Sequence, residues 1–414
     1  MAIDFTLTPR QRRIQRQSRE FARDIFAGAN SAELLPTAEE RFLATRPVYE
    51  AMVAAGFLRQ CIPADAGGDS AGMVEVAILT EEFYSVNASV SLTLIGTLLG
   101  LFPILLGGSP ALRERLLAPF LKKSGAPLAG FCATEPGGSA NAASPPPGEG
   151  VRTIAKLDGD HWIIRGRKSW VSSASGWDRK GADVLCVVCR TGAAGPPERA
   201  ASIIALERPA AGFVFERAIG AIGHRAHLLP QFRLDDALAP RANLIGEEGG
   251  GFALTAASFK GAAALVGILG VALMRAAFDF ALHFARTERR GGLRPIIEHQ
   301  AVGFALADAK TMIEATRCLA WRACHAVDEK SPAADELAIE AKVFGSEMAV
   351  RVITDLMRVV GVESYDRECP LGRLLQDALA LPIFGGGNIG VRRRQLHAML
   401  KRSDYDPLIA SGAA

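Results

Sequence analysis

Two glycine-bearing stretches hold the residues whose types and spacing bear most directly on chemistry. LPIFGGGNIGVRRRQLH (381–397) sets Gly385, Gly387 and Gly390 at a G-x-G-x-x-G spacing and follows them with Arg392, Arg393 and Arg394. That spacing suits a turn whose amides cradle a dinucleotide pyrophosphate. It does so only where a strand precedes, a helix follows, and an acid closes a second strand. Here RRRQLHAML runs on as a helix with no second strand, so the dinucleotide reading fails on context. The arginine triplet is no nucleic-acid patch either, because 47 basic against 44 acidic residues leave a formal charge of only +3.

The second stretch is FCATEPGGSAN (131–141), in which a strand gives way to a turn carrying Thr134, Gly137, Gly138 and Ser139. Small residues with free amides let a flat ring or a phosphate come close. Further on, GRKSWVSSA (166–174) offers Trp170 and Ser172. A strand Trp usually packs in a core; two such runs in one β region suit a planar ligand. By contrast, the C-x-x-C of Cys186 and Cys189 in ADVLCVVCR reads as a strand whose residues three apart face opposite sides. No metal site is expected there.

Stepping outward, apolar spacing predicts helices over 9–27, 46–55, 73–84 and 111–122, and again over 252–286, 298–326, 331–360 and 390–400. Between 128 and 245 short β-rich runs alternate with turns, which suggests a small antiparallel barrel or sandwich. Within it, ANAASPPPGEG (140–150) reads as an exposed loop. The expected domains are 1–127 all-α, 128–245 β, and 246–414 a helical bundle. The uncharged run 86–112 is long enough for a bilayer, but its Gly, Pro and hydroxyl residues favour a buried core helix. With 49% hydrophobic and 22% charged residues the chain is an ordinary globular one, without cause to seek nucleic acid or membrane. Seven scattered cysteines and a charged opening segment point to reduced thiols and a cytoplasmic protein.

Taken together and in order, these stretches resemble the acyl-CoA dehydrogenases and their oxidase relatives, which use FAD. CATEPGGS (132–139) is similar to the family turn T-E-P-G-x-G-S, one residue short, and GRKSWVSSA to G-x-K-x-W-I-T-N. GHRAHLLPQFRLDDALAPRANLIGEEGGGF (223–252), ERRGGLRPIIEHQAV (288–302) and RECPLGRLLQDA (367–378) resemble three further family motifs. The resemblance implies a mainly α fold with a central β domain: an N-terminal helical domain, a small β-barrel and a C-terminal four-helix bundle. It implies that Phe131, Ala133, Thr134, Gly138 and Ser139 contact the flavin ring, with Trp170 packed on it and Ser172 hydrogen-bonded to it. Arg289 and Gln300 would serve the FAD diphosphate and adenine, in relatives across a subunit interface, so a homo-oligomer, dimer or tetramer, is expected. Arg358 and Gly361, in RVVGVESY (358–365), stand where relatives have Q-x-x-G-G-x-G-Y, and would also face the cofactor. Gly386, Gly387 and Asn388 would meet FAD at the family's E-G-T-N tail.

That alignment lays the family's catalytic Glu on Gly385. In the nitroalkane oxidase branch the motif is D-G-G-N-x-x-x-R, which Gly386, Gly387, Asn388 and Arg392 fit. Relatives that carry the base on the helix after the β domain place it near Lys260, beside Gly261, so neither position supplies a carboxylate. Ser258 could reach the flavin N5; His227 could titrate near neutrality, but nothing in the sequence orients it. Losing a positioned base costs about 10²–10⁴-fold. Three readings follow. The chain is an FAD oxidoreductase for a carrier-bound acyl thioester or a small specialised nitrogen compound, working without the usual Glu or Asp. Or it is a flavin monooxygenase or oxidase on the same fold. Or it is a non-catalytic FAD-binding protein, or one whose base was replaced by design.

Overall fold

The computed structural model describes residues 6–145, 148–192 and 196–411. Helices α1 (Pro9–Asp24), α2 (Ala38–Ala44), α3 (Arg46–Ala54), α4 (Phe57–Gln60), α5 (Met73–Tyr84), α6 (Ala88–Gly107) and α7 (Pro110–Leu117) come first. Local chemistry sets where α1 starts: Thr8 and Gln11 cap each other's backbone amides, and Pro9 takes the first position, where no amide is needed. It stops short of the expected residue 27 because 26–34 tighten into a 3-10 segment.

Strands β1 (Ala129–Cys132), β2 (Ile154–Asp158), β3 (His161–Ser169), β4 (Val184–Arg190), β5 (Ala201–Glu207), β6 (Phe213–Ala218), β7 (Pro230–Pro240) and β8 (Leu244–Ile245) follow. They form one sheet in the order β6-β7-β3-β2-β4-β5-β8, with β1 beside β4. The sheet is mixed rather than wholly antiparallel, since β1 and β2 each meet β4 in parallel, at its two ends. Cys186 and Cys189 on β4 are both fully buried, on a strand covered on both sides. Of the loop 140–150, Pro146 and Pro147 lie outside the described residues.

Helices then resume: α8 (Gly251–Thr287), α9 (Gln300–Asp328), α10 (Ala334–Val360), α11 (Pro370–Ala380) and α12 (Arg393–Leu400), the last entered through a π turn at Asn388–Arg392. The amphipathic α11, which starts on Pro370, was not anticipated from apolar spacing. α6 and α8 are apolar and long enough to cross a membrane, yet 67% and 83% of their most apolar windows are buried inside the protein. They are the central helices of the two hydrophobic clusters, one shared by the first helices and the sheet, the other filling the bundle.

The first helices are bolted to the bundle by charge. Glu82 of α5 accepts from Arg275 of α8 at 2.9 Å and from Arg19 of α1 at 2.8 Å, while Glu81 accepts from Arg317 of α9 at 2.9 Å. Burial alone would raise the Glu82 carboxyl; the hydrogen bonds from Arg19 and Arg275 outweigh it and hold that group below the usual carboxylate range.

α6 also lies flush against the sheet. A Cβ added at Gly100 would stand 2.5 Å from the Ala129 backbone carbon, and one at Gly96 would stand 2.4 Å from Cβ of Ser172. Only glycine permits that approach. It brings one wall of a cavity to the ends of β1 and β3.

Candidate active site

The cavity holds about 640 Å³ and lies between α6, α8, the turn after β1, the residues after β3 and the segment that joins α11 to α12. It gathers Phe131, Ala133, Thr134, Ser139, Trp170, Ser172, Gly385, Gly386 and Arg392 on one surface, although the chain spreads them over 262 positions (392 − 131 = 261 steps). Its remaining wall is largely apolar, from Leu92, Ile95, Leu99 and Phe102 of α6 and Phe252 and Phe259 of α8.

The turn after β1 is held rigid from beneath. Glu135 accepts from the amides of Arg152 and Thr153 at 2.9 Å each, from the Thr153 hydroxyl at 2.6 Å and from Lys168 Nζ at 3.0 Å. Lys168 is fully buried, and its ammonium also donates to the Val188 carbonyl at 2.8 Å. Burial pushes the Glu135 carboxyl up, but Lys168, the Thr153 hydroxyl and the two amides outweigh it and bring it down to about 2. Glu135 thus clamps the turn of β1 onto β3. Immediately beyond β3, Trp170 sits at φ +63°, lines the cavity and is 53% exposed. A Trp held in the left-handed region is strained, and strain of this kind collects at functional sites. It presents a bare aromatic face beside the small residues of the turn, which is what a flat heteroaromatic ring needs.

The opposite wall is the glycine-rich segment 383–395. Gly385 stands at φ +60°, and a Cβ added there would meet only Val266, at 3.9 Å. Arg392 is 4% exposed; its Nη2 donates to the Gly385 carbonyl at 2.6 Å and its Nη1 to Gln395 at 3.1 Å. Burial lowers the guanidinium to about 10, and among the described residues it has no carboxylate partner. His224 completes the wall; its Nε2 is hydrogen-bonded to the Tyr84 hydroxyl, and burial pushes its imidazolium down to about 4, so the ring is neutral.

Several expected residues lie elsewhere. Ser258 is buried but turns its hydroxyl back to the Leu254 carbonyl at 2.8 Å, inside its own helix, and does not line the cavity. Asn388 and Gly387 sit behind the wall; Asn388 accepts from Lys342 at 2.6 Å and donates to Ser346 and Glu347 at 3.0 Å. Gly138 belongs to the turn without lining the cavity. His227 is packed against Thr93 at 3.0 Å, and Lys260 pairs with Asp335 at 2.5 Å. Arg289, Gln300, Arg358 and Gly361 are all exposed and away from the cavity of this chain. Conversely, Glu135, Lys168, Tyr84, His224 and Gln395 were passed over. Glu135 and Lys168 stand inside the two quoted motifs, and a buried acid beside a glycine turn was the available signal.

Comparison with known proteins gives the family. Models of the N-terminal, middle and C-terminal domains of acyl-CoA dehydrogenase match residues 8–124, 130–237 and 249–400. The chain belongs to the acyl-CoA dehydrogenase family. Members are FAD-dependent oxidoreductases, usually oligomeric, and this family member is one. It is 42% identical to nitroalkane oxidase of Podospora anserina over 98% of each chain, and 35% identical to that of Fusarium oxysporum over 99% of this chain and 97% of the relative. The solved Podospora enzyme superposes with a TM-score of 0.95 over 100% of both chains, at 40% identity. Butyryl-CoA dehydrogenase of Megasphaera elsdenii follows at 0.84, covering 97% of this chain and 100% of its own, at 25% identity. The glycine turn, the bare face of Trp170 and Ser172 fit an isoalloxazine ring, which this family member would hold across the cavity.

Proposed function

We propose that this flavoenzyme oxidises a carbon bearing a nitro group, in the manner of the nitroalkane oxidases. The observation that carries this is the Gly385–Arg392 pair in the cavity wall. A nitroalkane oxidase has been studied for the roles of an aspartate and of an arginine seven positions after it, and Arg392 stands seven positions after Gly385 (392 − 385 = 7). In that enzyme a serine lies 126 positions before the same aspartate, and a variant of each was crystallised with a long-chain nitroalkane. Ser258 is 127 positions before Gly385 (385 − 258 = 127), the same spacing to within one residue.

When bound, FAD would supply the two-electron acceptor for the substrate carbon, with dioxygen as the final oxidant. The residues of the chain do the rest. Arg392, whose Nε and Nη2 hold the Gly385 carbonyl and whose Nη1 gives one N–H to Gln395, offers the nitro oxygens its positive charge and the remaining Nη1 N–H. The apolar wall of α6 takes the alkyl tail and excludes water. The Glu135–Lys168 clamp fixes the turn against which the cofactor rests. Gly385 contributes no proton acceptor; the carboxylate is the element of the mechanism that this chain replaces.

The test is anaerobic mixing of FAD-loaded protein with 1-nitropropane, with its nitronate, and with butyryl-CoA, watching the flavin absorbance and assaying nitrite. Bleaching with release of nitrite by either nitro form is expected. Bleaching by butyryl-CoA alone would return the chain to thioester chemistry. Bleaching only by a nicotinamide reductant would make it a monooxygenase.

A further inference from the structure

The cavity is electrostatically one-sided. Among the described residues that line it, Arg392 and His224 are the titratable ones, and none is Asp or Glu. Every hydrogen bond of Arg392 goes to a neutral oxygen: the Gly385 carbonyl, the Gln395 amide and, at 3.5 Å, the Phe259 carbonyl. A second cation stands behind it. Lys342 is fully buried, and burial together with the charge of Arg392 pushes its ammonium down to about 7. Buried charge is costly unless an opposite charge meets it. Glu347 answers Lys342 from the far side, beyond Asn388, and Asp377 accepts from the His224 amide, but among the described residues no carboxylate bonds Arg392 or lines the cavity, and Gly385 leaves open the space from which an anion could meet it.

We propose that the substrate itself is the counter-ion: a preformed alkyl nitronate, its charged head on Arg392 and its tail along Leu92, Ile95, Leu99 and Phe102. This rests on the nitro-compound reading above. The balance is simple for the anion. The carbon–nitrogen bond breaks and nitrite leaves. Water provides the carbonyl oxygen of the aldehyde and both protons of hydrogen peroxide, and two electrons pass from the carbon to dioxygen. No proton has to leave the substrate carbon first. From the neutral nitroalkane one proton more must find a base, and the wall offers only His224, whose Nε2 is engaged by Tyr84.

The test compares 1-nitropropane with its freshly prepared nitronate at equal concentration and pH, in anaerobic stopped flow. The anion is expected to reduce the flavin at least about 100-fold faster, the lower bound for a missing base. Butyrate, an unreactive carboxylate of the same length, is expected to perturb the flavin spectrum and to compete with the nitronate, whereas butyramide does neither. Arg392→Met raises the butyrate dissociation constant about 30-fold or more, and Arg392→Lys recovers part of it. Equal rates for the two nitro forms, or no binding of butyrate to the unaltered protein, overturn the proposal while leaving the oxidase reading intact. Equal rates that fall on His224→Ala would assign the base to His224. Failure of both nitro forms to reduce the flavin overturns both.

Discussion

Gly385→Asp is expected to raise the rate at which a neutral nitroalkane reduces the flavin by about 10²–10⁴-fold. The backbone is ready for the change. At φ +60° Asp is among the few side chains tolerated, and the nearest atom to a new Cβ is 3.9 Å away. The carboxylate would stand beside the guanidinium that already donates to the carbonyl of the same residue, so it compensates the buried charge of Arg392. It would also repel an anion, so the preference between nitronate and nitroalkane should invert. Both effects are read in one stopped-flow series. If the rate with the neutral form does not rise, position 385 is not where this fold puts its base.

Glu135→Gln should cost about 3–5 kcal/mol of stability, the usual penalty for removing one partner of a buried ion pair. Lys168 would be left fully buried with only the Val188 carbonyl and neutral oxygens around it. The effect depends on pH, with a definite sign. The Glu135 carboxyl is held at about 2 in the folded chain, below its ordinary value near 4.5, so its contribution is complete above about pH 4.5 and disappears as pH falls towards 2. The unaltered protein should therefore lose thermal stability across that window, and the Gln variant should lose less. Because the clamp carries the turn of Thr134 and Ser139, the variant should also retain less FAD on purification. Equal melting at pH 7 would show that the pair is not what fixes the turn.

The cavity wall that carries the glycine turn and Trp170 was legible in the sequence because its parts are local. A glycine turn after a strand and a Trp two positions before a Ser are short motifs, and the structure brings them together at the cavity. What joins them was not legible. The Glu135–Lys168 pair depends on β1 and β3 being placed by the fold, and no spacing along the chain reveals that. The same holds for Tyr84 and His224, one on α5 and the other in the loop before β7. Ser258 shows the opposite failure. It lies on the helix that walls the cavity but not among the lining residues, and a hydroxyl in an apolar helix satisfies itself on the preceding turn, as it does here. Arg289, Gln300, Arg358 and Gly361 depend on what faces the bundle from outside, and one chain leaves them in solvent.

The flush seating of α6 on the sheet also limits how this protein can be made more robust. Replacing helix glycines with alanine is a standard route to thermostability, gaining about 0.5–1 kcal/mol per site where the backbone allows it. At Gly96 and Gly100 the same change would lever the helix away from Ser172 and from β1 respectively and reshape the cavity, trading turnover for nothing. Gly303 on α9 and Gly372 on α11 have no atom within 4 Å of an added Cβ, and alanine at these two sites should raise the melting temperature and leave the catalytic rate unaltered. A library built on helix propensity alone would mix the two kinds of site, and its failures would map the wall of the active site.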